Sequence, residues 1–131
     1  MRDLTLPSRA LLKKSGQFDV VYREGRRRRG AGFVLVFRPN QLDTSRLGIS
    51  IHRKLRGAVR RNRIKRIVRE VFRLFREIFP AHCDVVFAVR PEFTLDSPLQ
   101  VREAVILALN VRRSDMTAGR SEGESTATVE A

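Results

Sequence analysis

The residues of this chain best suited to chemistry are cations. Between Arg53 and Arg76 stand Arg53, Lys54, Arg56, Arg60, Arg61, Arg63, Lys65, Arg66, Arg69, Arg73 and Arg76, with Asn62 among them and only Glu70 opposing. A second cluster, Arg26-Arg27-Arg28-Arg29, lies between Gly25 and Gly30. Like charges at this density repel one another, so the chemistry they fit is neutralisation of a polyanion, phosphates above all. Asn62 adds an amide suited to a base edge or a sugar.

Side chains that build hydrolytic sites are sparse. His52 and His82 are the two histidines, and no Ser–His–Asp set is suggested by spacing. The acids are scattered singly, without the clustering that a two-metal nuclease needs. His82-Cys83 offers two ligands where zinc usually takes four, and reads as two partly buried residues at the start of a strand. His52 reads equally as a phosphate contact or a surface residue. Phe18 and Tyr22, four apart, share one helix face. They read either as core or as a stacking platform beside an open strand, where a single-stranded segment would lie.

Positioning these groups falls to a few elements. Ser15 as N-cap and Gly25 as stop bracket a short helix with Phe18, Val21 and Tyr22 on one edge. Gly32 to Arg38 is β-branched and aromatic and ends at Pro39-Asn40, which predicts a strand and a turn. Arg46 to Ile51 alternates, with Leu47, Ile49 and Ile51 to one side as core and Gly48 and Ser50 to the other, small enough to admit a ligand. Residues 41–45 between these strands fit a hairpin loop.

From Ala58 to Phe79 the period becomes helical. Ile64, Ile67, Val68, Val71, Leu74, Phe75 and Ile78 fall in an arc of about 120°. Arg61, Asn62, Lys65, Arg66, Arg69, Arg73 and Arg76 fall opposite, with Arg60 and Arg63 on the edges. Pro80 ends this helix. Asp84 to Pro91 predicts a third, central strand. Ser97-Pro98 opens a last helix to about Arg112, with Leu99, Ala104, Val105, Ala108, Leu109 and Val111 to bury. The order helix, strand, strand, long helix, strand, helix predicts an α/β (α+β) two-layer sandwich with a small mixed sheet and a long basic helix.

Composition bounds the rest. The 131 residues are 42% hydrophobic, with 27 Lys plus Arg against 14 Asp plus Glu and a net charge of +13. That suits a single domain, expected over residues 1–113. The longest apolar run, Ala104 to Leu109, is too short to cross a bilayer, and the segment from Met1 to Leu4 opens no export signal. A lone cysteine, Cys83, rules out an intramolecular disulfide framework and suits a reducing, cytoplasmic setting. Residues 114–131 invert the charge, with Arg120 against Asp115, Glu122, Glu124 and Glu130, and are expected to form a disordered acidic tail. A membrane-surface role for the basic helix is disfavoured, because its apolar face is needed to cover a sheet. A merely solvated face would mix both signs of charge.

Arg61-Asn62-Arg63-Ile64-Lys65-Arg66, led in by Gly57-Ala58-Val59, resembles the protein subunit of bacterial ribonuclease P. Three further blocks agree in order and spacing. They are Phe18 to Gly25, then Arg46 to Ile51 followed by Arg53-Lys54, then Asp84 to Pro91. The likeness covers roughly residues 4–112.

The resemblance implies a ribonucleoprotein whose RNA subunit removes the 5′ leader of precursor tRNA, using Mg2+ ions bound to that RNA. No cofactor and no catalytic residue is expected of the protein itself. Its partners would be ribonuclease P RNA and precursor tRNA, with no membrane and no obligate protein partner. Carried onto this chain, Arg53, Lys54, Arg60, Arg61, Asn62, Arg63, Lys65, Arg66 and Arg69 would contact the catalytic RNA. Phe18, Tyr22, Val36, Arg46, Gly48 and Ser50 would line a cleft for the leader between the sheet and the first helix. A left-handed crossover around the long helix is also implied, against the usual rule.

The chain departs from the family in three places. Val36 stands where an aromatic is common, His52 where a small residue is commoner, and the acidic tail is no part of the pattern. A general RNA-binding module and a nuclease in its own right are the competing functions.

Overall fold

The computed structural model describes residues 7–110. The expected tail at 114–131 lies outside them, as do Val111 and Arg112. A short 3-10 turn, Ser8–Ala10, precedes α1 (Ser15–Glu24), β1 (Arg26–Gly30), β2 (Phe33–Pro39), β3 (Arg46–Ile51), α2 (Ala58–Leu74), β4 (Cys83–Val89) and α3 (Pro98–Asn110). The four strands form one mixed sheet in the order β1-β2-β4-β3. β2 is antiparallel to both β1 and β4, whereas β3 and β4 run parallel and are joined through α2. The architecture is the expected α+β sandwich with one strand more than the sequence pattern predicted.

That additional strand is the arginine cluster. Arg26 to Gly30 pairs residue for residue with Phe37 to Phe33, so the first hairpin turns at Ala31-Gly32. The expected hairpin over residues 41–45 is corrected, because β4 is inserted between β2 and β3. The 41–45 connection wraps the start of β4 instead. Asn40 N–H donates to His82 O (2.9 Å), Ser45 Oγ donates to Pro80 O (2.8 Å), and Cys83 N–H donates to Ser45 Oγ (3.1 Å). β4 is buried at all seven positions, as its unbroken apolar run predicts for a central strand.

The alternation of each strand feeds two cores. On one face Phe33, Leu35, Leu47, Val85, Phe87 and Val89 pack against α2 and α3, with Phe33 and Phe87 stacked at 4.5 Å. On the other, Val34, Val36, Val86 and Ala88 lie beneath α1 with Leu12 and Val21, and Phe18 and Tyr22 pack against them half-buried.

Several boundaries shift for local reasons. α1 does begin at Ser15, but no Ser15 cap closes it. Gln17 Oε1 accepts the backbone N–H groups of Lys13 and Lys14 (2.9 and 3.0 Å). α2 stops at Leu74, a turn short of Phe79. Phe75 leaves helical backbone at φ −124°, ψ 46°, and Phe79 is held extended before Pro80. This bend seats Phe79 edge-on to Phe72 at 5.1 Å. The buried stripe of α2 holds at Ile64, Ile67, Val68 and Val71, but at its end Phe72 is fully buried and Leu74, expected in the core, is 47% exposed. On α3, Leu99 is 61% exposed and Val101 is buried in its place, while Ser97 caps the helix through Oγ to Gln100 N–H (3.3 Å).

Candidate nucleic-acid interface

The loop from His52 to Gly57 and the first half of α2 form one basic surface. The loop is built from inside. Leu55 is buried, and its N–H donates to His52 O (3.0 Å). His52 Nδ1 accepts Lys54 N–H (3.1 Å). Gly57, at φ 97°, gives the backbone a conformation that side-chain-bearing residues avoid, and α2 starts at once. No acid occupies the first turn of α2, so its free N–H groups and dipole add to the positive field.

Cations expected to share a single role divide into two sets. Arg61 Nη1 donates to Leu55 O (2.8 Å) and, at 3.4 Å, to His52 O, pinning the loop. Arg60 Nη2 donates to Phe93 O (2.8 Å), and Arg63 pairs with Asp96 at 3.0 Å. Arg73 pairs with Glu70 at 2.9 Å, and Arg76 lies beyond α2 against Thr44 Oγ1 and the Phe72 ring. The expected free face is therefore smaller than the helical period implies. The side chains of Arg53, Lys54, Asn62, Lys65, Arg66 and Arg69 make no hydrogen bond or ion pair among the described residues. Asn62, Lys65, Arg66 and Arg69 follow i, i+3, i+4, i+7 and share one side of the helix.

The second surface is the α1 face of the sheet. Strand register sets out three rows here, namely Arg38–Asp84–Arg46, then Arg27–Val36–Val86–Gly48, then Arg29–Val34–Ala88–Ser50. α1 crosses over the middle row. The Phe18 ring sits against Gly48, where a Cβ would come within 2.7 Å of it. At the other end Arg27 Nη2 donates to Tyr22 O (2.8 Å), and its guanidinium lies 5.9 Å from the Tyr22 ring centre. Two cleft expectations are corrected by this covering. Val36 is fully buried, and Gly48 is closed over by Phe18, so both support the floor without reaching a ligand. Phe18, Tyr22 and Ser50 remain half-exposed along the flank of α1.

Arg46, expected along the cleft, is engaged with the protein itself. Its Nε and Nη2 donate to Asp84 Oδ1 and Oδ2, each at 2.8 Å, and Asn40 Nδ2 donates to Oδ1 at 2.9 Å. Burial pushes the Asp84 carboxyl up, but the hydrogen bonds from Arg46 and Asn40 and the charges of Arg46 and Arg38 outweigh it and hold the pKa below its ordinary value. The hydrogen bond to Asp84 in turn raises Arg46. Arg46 thus locks β3 onto β4 and is not a free cation.

Sequence reasoning noticed Arg27 and Arg29 only as members of a charge cluster. Both lie on this same face, and Arg29 is exposed with no partner among the described residues. A period of two through the run was the available signal, usable only once the run is known to be a strand.

His82-Cys83 does not form a pair of similar residues. His82 is exposed at φ 55° with Nδ1 2.8 Å from Leu42 O, while Cys83 is buried and its thiol is pushed up by burial and by Asp84. Among the described residues, no three His, Cys, Asp or Glu side chains gather as metal ligands, and no helix is long and apolar enough to cross a membrane.

Comparison with known proteins agrees with this layout. The sequence model of the ribonuclease P family matches residues 6–111. The ribonuclease P protein component of Desulfotalea psychrophila is 57% identical over 105 residues, covering 80% of this chain and 88% of that protein. The solved structure of the Staphylococcus aureus RNase P protein superposes with a TM-score of 0.67 at 30% identity, covering 79% of this chain and 95% of that one. The RNase P protein from Thermotoga maritima gives 0.65 at 38% identity, covering 76% and 92%. A basic helix beside a sheet face crossed by α1, within a fold and sequence shared at this level, places the chain in the bacterial ribonuclease P protein family.

Proposed function

We propose that this chain is the RNA-binding, non-catalytic subunit of a ribonuclease P holoenzyme. The observation that carries the reading is the division of cations on α2. Among the described residues the side chains of Arg53, Lys54, Asn62, Lys65, Arg66 and Arg69 are left without protein partners, while Arg61 pins the His52–Leu55 turn and Arg60 reaches Phe93 O. Unengaged guanidinium groups suit bidentate phosphate contact, and this surface takes the ribonuclease P RNA. The flank of α1, with Phe18, Tyr22 and Ser50, takes the single-stranded leader of precursor tRNA by stacking and backbone contact.

The physical role is screening. Where two RNA molecules meet, phosphates repel, and cations fixed on the protein lower that repulsion so that substrate binds at lower bulk Mg2+. The divalent ions that perform hydrolysis belong to the RNA. Phe18 and Tyr22 hold the leader's bases, and the α2 surface fixes the protein's register on the catalytic RNA.

The test is cleavage of precursor tRNA at low Mg2+ by the same organism's ribonuclease P RNA, with and without this protein. Restored cutting at the mature 5′ end, strongest when a leader is present, is the expected result. Unselective RNA binding without rescue would indicate a general RNA-binding module. Cleavage by the protein freed of RNA would indicate a nuclease in its own right.

A further inference from the structure

The row Arg29–Val34–Ala88–Ser50 runs beside α1 across all four strands. Its inner positions, Val34 and Ala88, are small, apolar and buried, so a ligand would rest on the flank of the helix that carries Phe18 and Tyr22 and meet the row at its two ends. Ser50 on edge strand β3 marks one end. At the other end is edge strand β1, whose outer backbone edge has no neighbouring strand. Among the described residues Arg29 stands exposed there without a protein partner, and Arg27, two residues back on the same face, donates to the Tyr22 carbonyl. The nearest acid on α1, Glu24, is engaged with Arg38 at 3.1 Å. One end of the groove thus carries two guanidinium groups, one pre-positioned and one free.

We infer that Arg27 and Arg29 form a phosphate-binding rail at the β1 end of this groove, which takes the backbone of the leader nucleotides farthest from the cleavage site. The inference rests on the reading of the α1 flank as the leader's path, and adds its direction and length. An RNA strand laid on Ser50 reaches Arg29 only after crossing three interstrand gaps, about 14 Å at ~4.8 Å each. At the ~3.4 Å rise of stacked nucleotides that distance is about four nucleotides, and fewer when the strand is extended. Arginine suits this end because a planar, always-charged fork binds phosphate in two hydrogen bonds without regard to base. Arg26 and Arg28 alternate onto the other face, where Arg28 lies over Phe37 at 5.7 Å, so they take no part.

The test measures affinity of the reconstituted holoenzyme, full-length chain with its ribonuclease P RNA, for precursor tRNAs whose leaders lengthen one nucleotide at a time. With the unaltered protein, affinity is expected to climb with leader length and then level off. Arg29→Gln should follow the same curve for short leaders and then level off early, about three- to tenfold weaker for long ones, with the salt slope reduced by about one. Arg29→Lys, which keeps charge without the fork, should lie between. Mature tRNA should bind all three proteins alike.

A curve for Arg29→Gln that coincides with that of the unaltered protein at every length overturns the rail. So does an equal loss for long leaders, short leaders and mature tRNA, which would assign Arg29 to the catalytic RNA. No leader dependence in the unaltered holoenzyme overturns the leader reading itself, and the rail with it.

Discussion

The two arginine-rich segments of this chain put their charge to use in different ways. In α2 a period of 3.6 spreads the cations round a cylinder, and the elements packed beside it take up some of them. Arg60 reaches Phe93 O, Arg61 the His52–Leu55 turn, and Arg63 Asp96, leaving Asn62, Lys65, Arg66 and Arg69 facing out. In β1 a period of two sends Arg27 and Arg29 to one face and Arg26 and Arg28 to the other. The α2 arginines are sorted by what packs around the helix, and the β1 arginines by register alone. A count of charges therefore overstates the binding surface in both segments, for different geometric reasons.

Arg46 is the extreme case of a cation used for structure, and its loss should have the largest effect. Asp84 is 5% exposed. Arg46→Ala would leave its carboxylate buried with Asn40 as its remaining side-chain donor, and should destabilise the fold by about 3 kcal/mol, read by urea unfolding. The pH dependence has a defined sign. The folded carboxyl pKa is held below the ordinary value, so the stability it contributes is complete above about pH 4 and is lost as pH falls through the folded value. Arg46→Ala should flatten that acid limb. A variant as stable as the parent would show that the Arg46–Asp84 pair does not hold the sheet together.

The next effect concerns how α1 sits on the sheet. Gly48→Ala would place a Cβ 2.7 Å from the Phe18 ring and 3.1 Å from Leu12 Cβ. Overpacking of this kind costs about 1–2 kcal/mol and shifts the ring, so leader-dependent affinity should fall with stability while affinity for the catalytic RNA holds. Separate titrations with leader-bearing and mature tRNA would read the difference. Equal losses on both would show that the α1 flank and the α2 surface act as one site.

The contrast within α2 calls for a pair of variants. Arg61→Ala should lower both stability, by about 1 kcal/mol through the lost loop contacts, and RNA affinity. Arg66→Ala should leave thermal unfolding within about 0.5 kcal/mol and weaken RNA binding by a similar amount, with a salt slope shallower by about one. If both variants unfold like the parent, the Leu55 carbonyl contact adds nothing and the two arginines are equivalent.

How much of this was readable beforehand follows from range and period. β3 and the core face of α2 follow from local alternation, because one buried face imposes a short repeat. β1 did not follow, since four arginines carry no apolar alternation and the strand exists by pairing with Phe33 to Phe37. The hairpin expected over residues 41–45 failed because β4, far along the chain, enters between β2 and β3. Arg46 and Asp84 meet across the same parallel pairing. No spacing rule joins residues 38 positions apart. The basic face of α2 as a nucleic-acid surface, and Phe18 and Tyr22 as either core or a stacking platform, were legible from charge and spacing, and family likeness added which RNA each would meet. Which arginines are already engaged came only from three-dimensional packing.

The smallest expected effect separates an ion pair from a binding contribution. Arg63 and Asp96 are both largely exposed, with side chains 57% and 72% accessible, and a pair in that setting contributes about 0–0.5 kcal/mol to stability. Asp96→Asn should therefore unfold like the parent. It also removes the acid that turns Arg63 toward the 93–96 loop, leaving a guanidinium beside Asn62 and Arg66 with one fewer competitor. Affinity for the catalytic RNA should rise by less than about threefold, most visibly at low salt, where an exposed charge is least screened. If affinity falls instead, Asp96 is orienting Arg63 for the RNA, and Arg63 belongs with Arg61 among the arginines whose protein contacts serve binding.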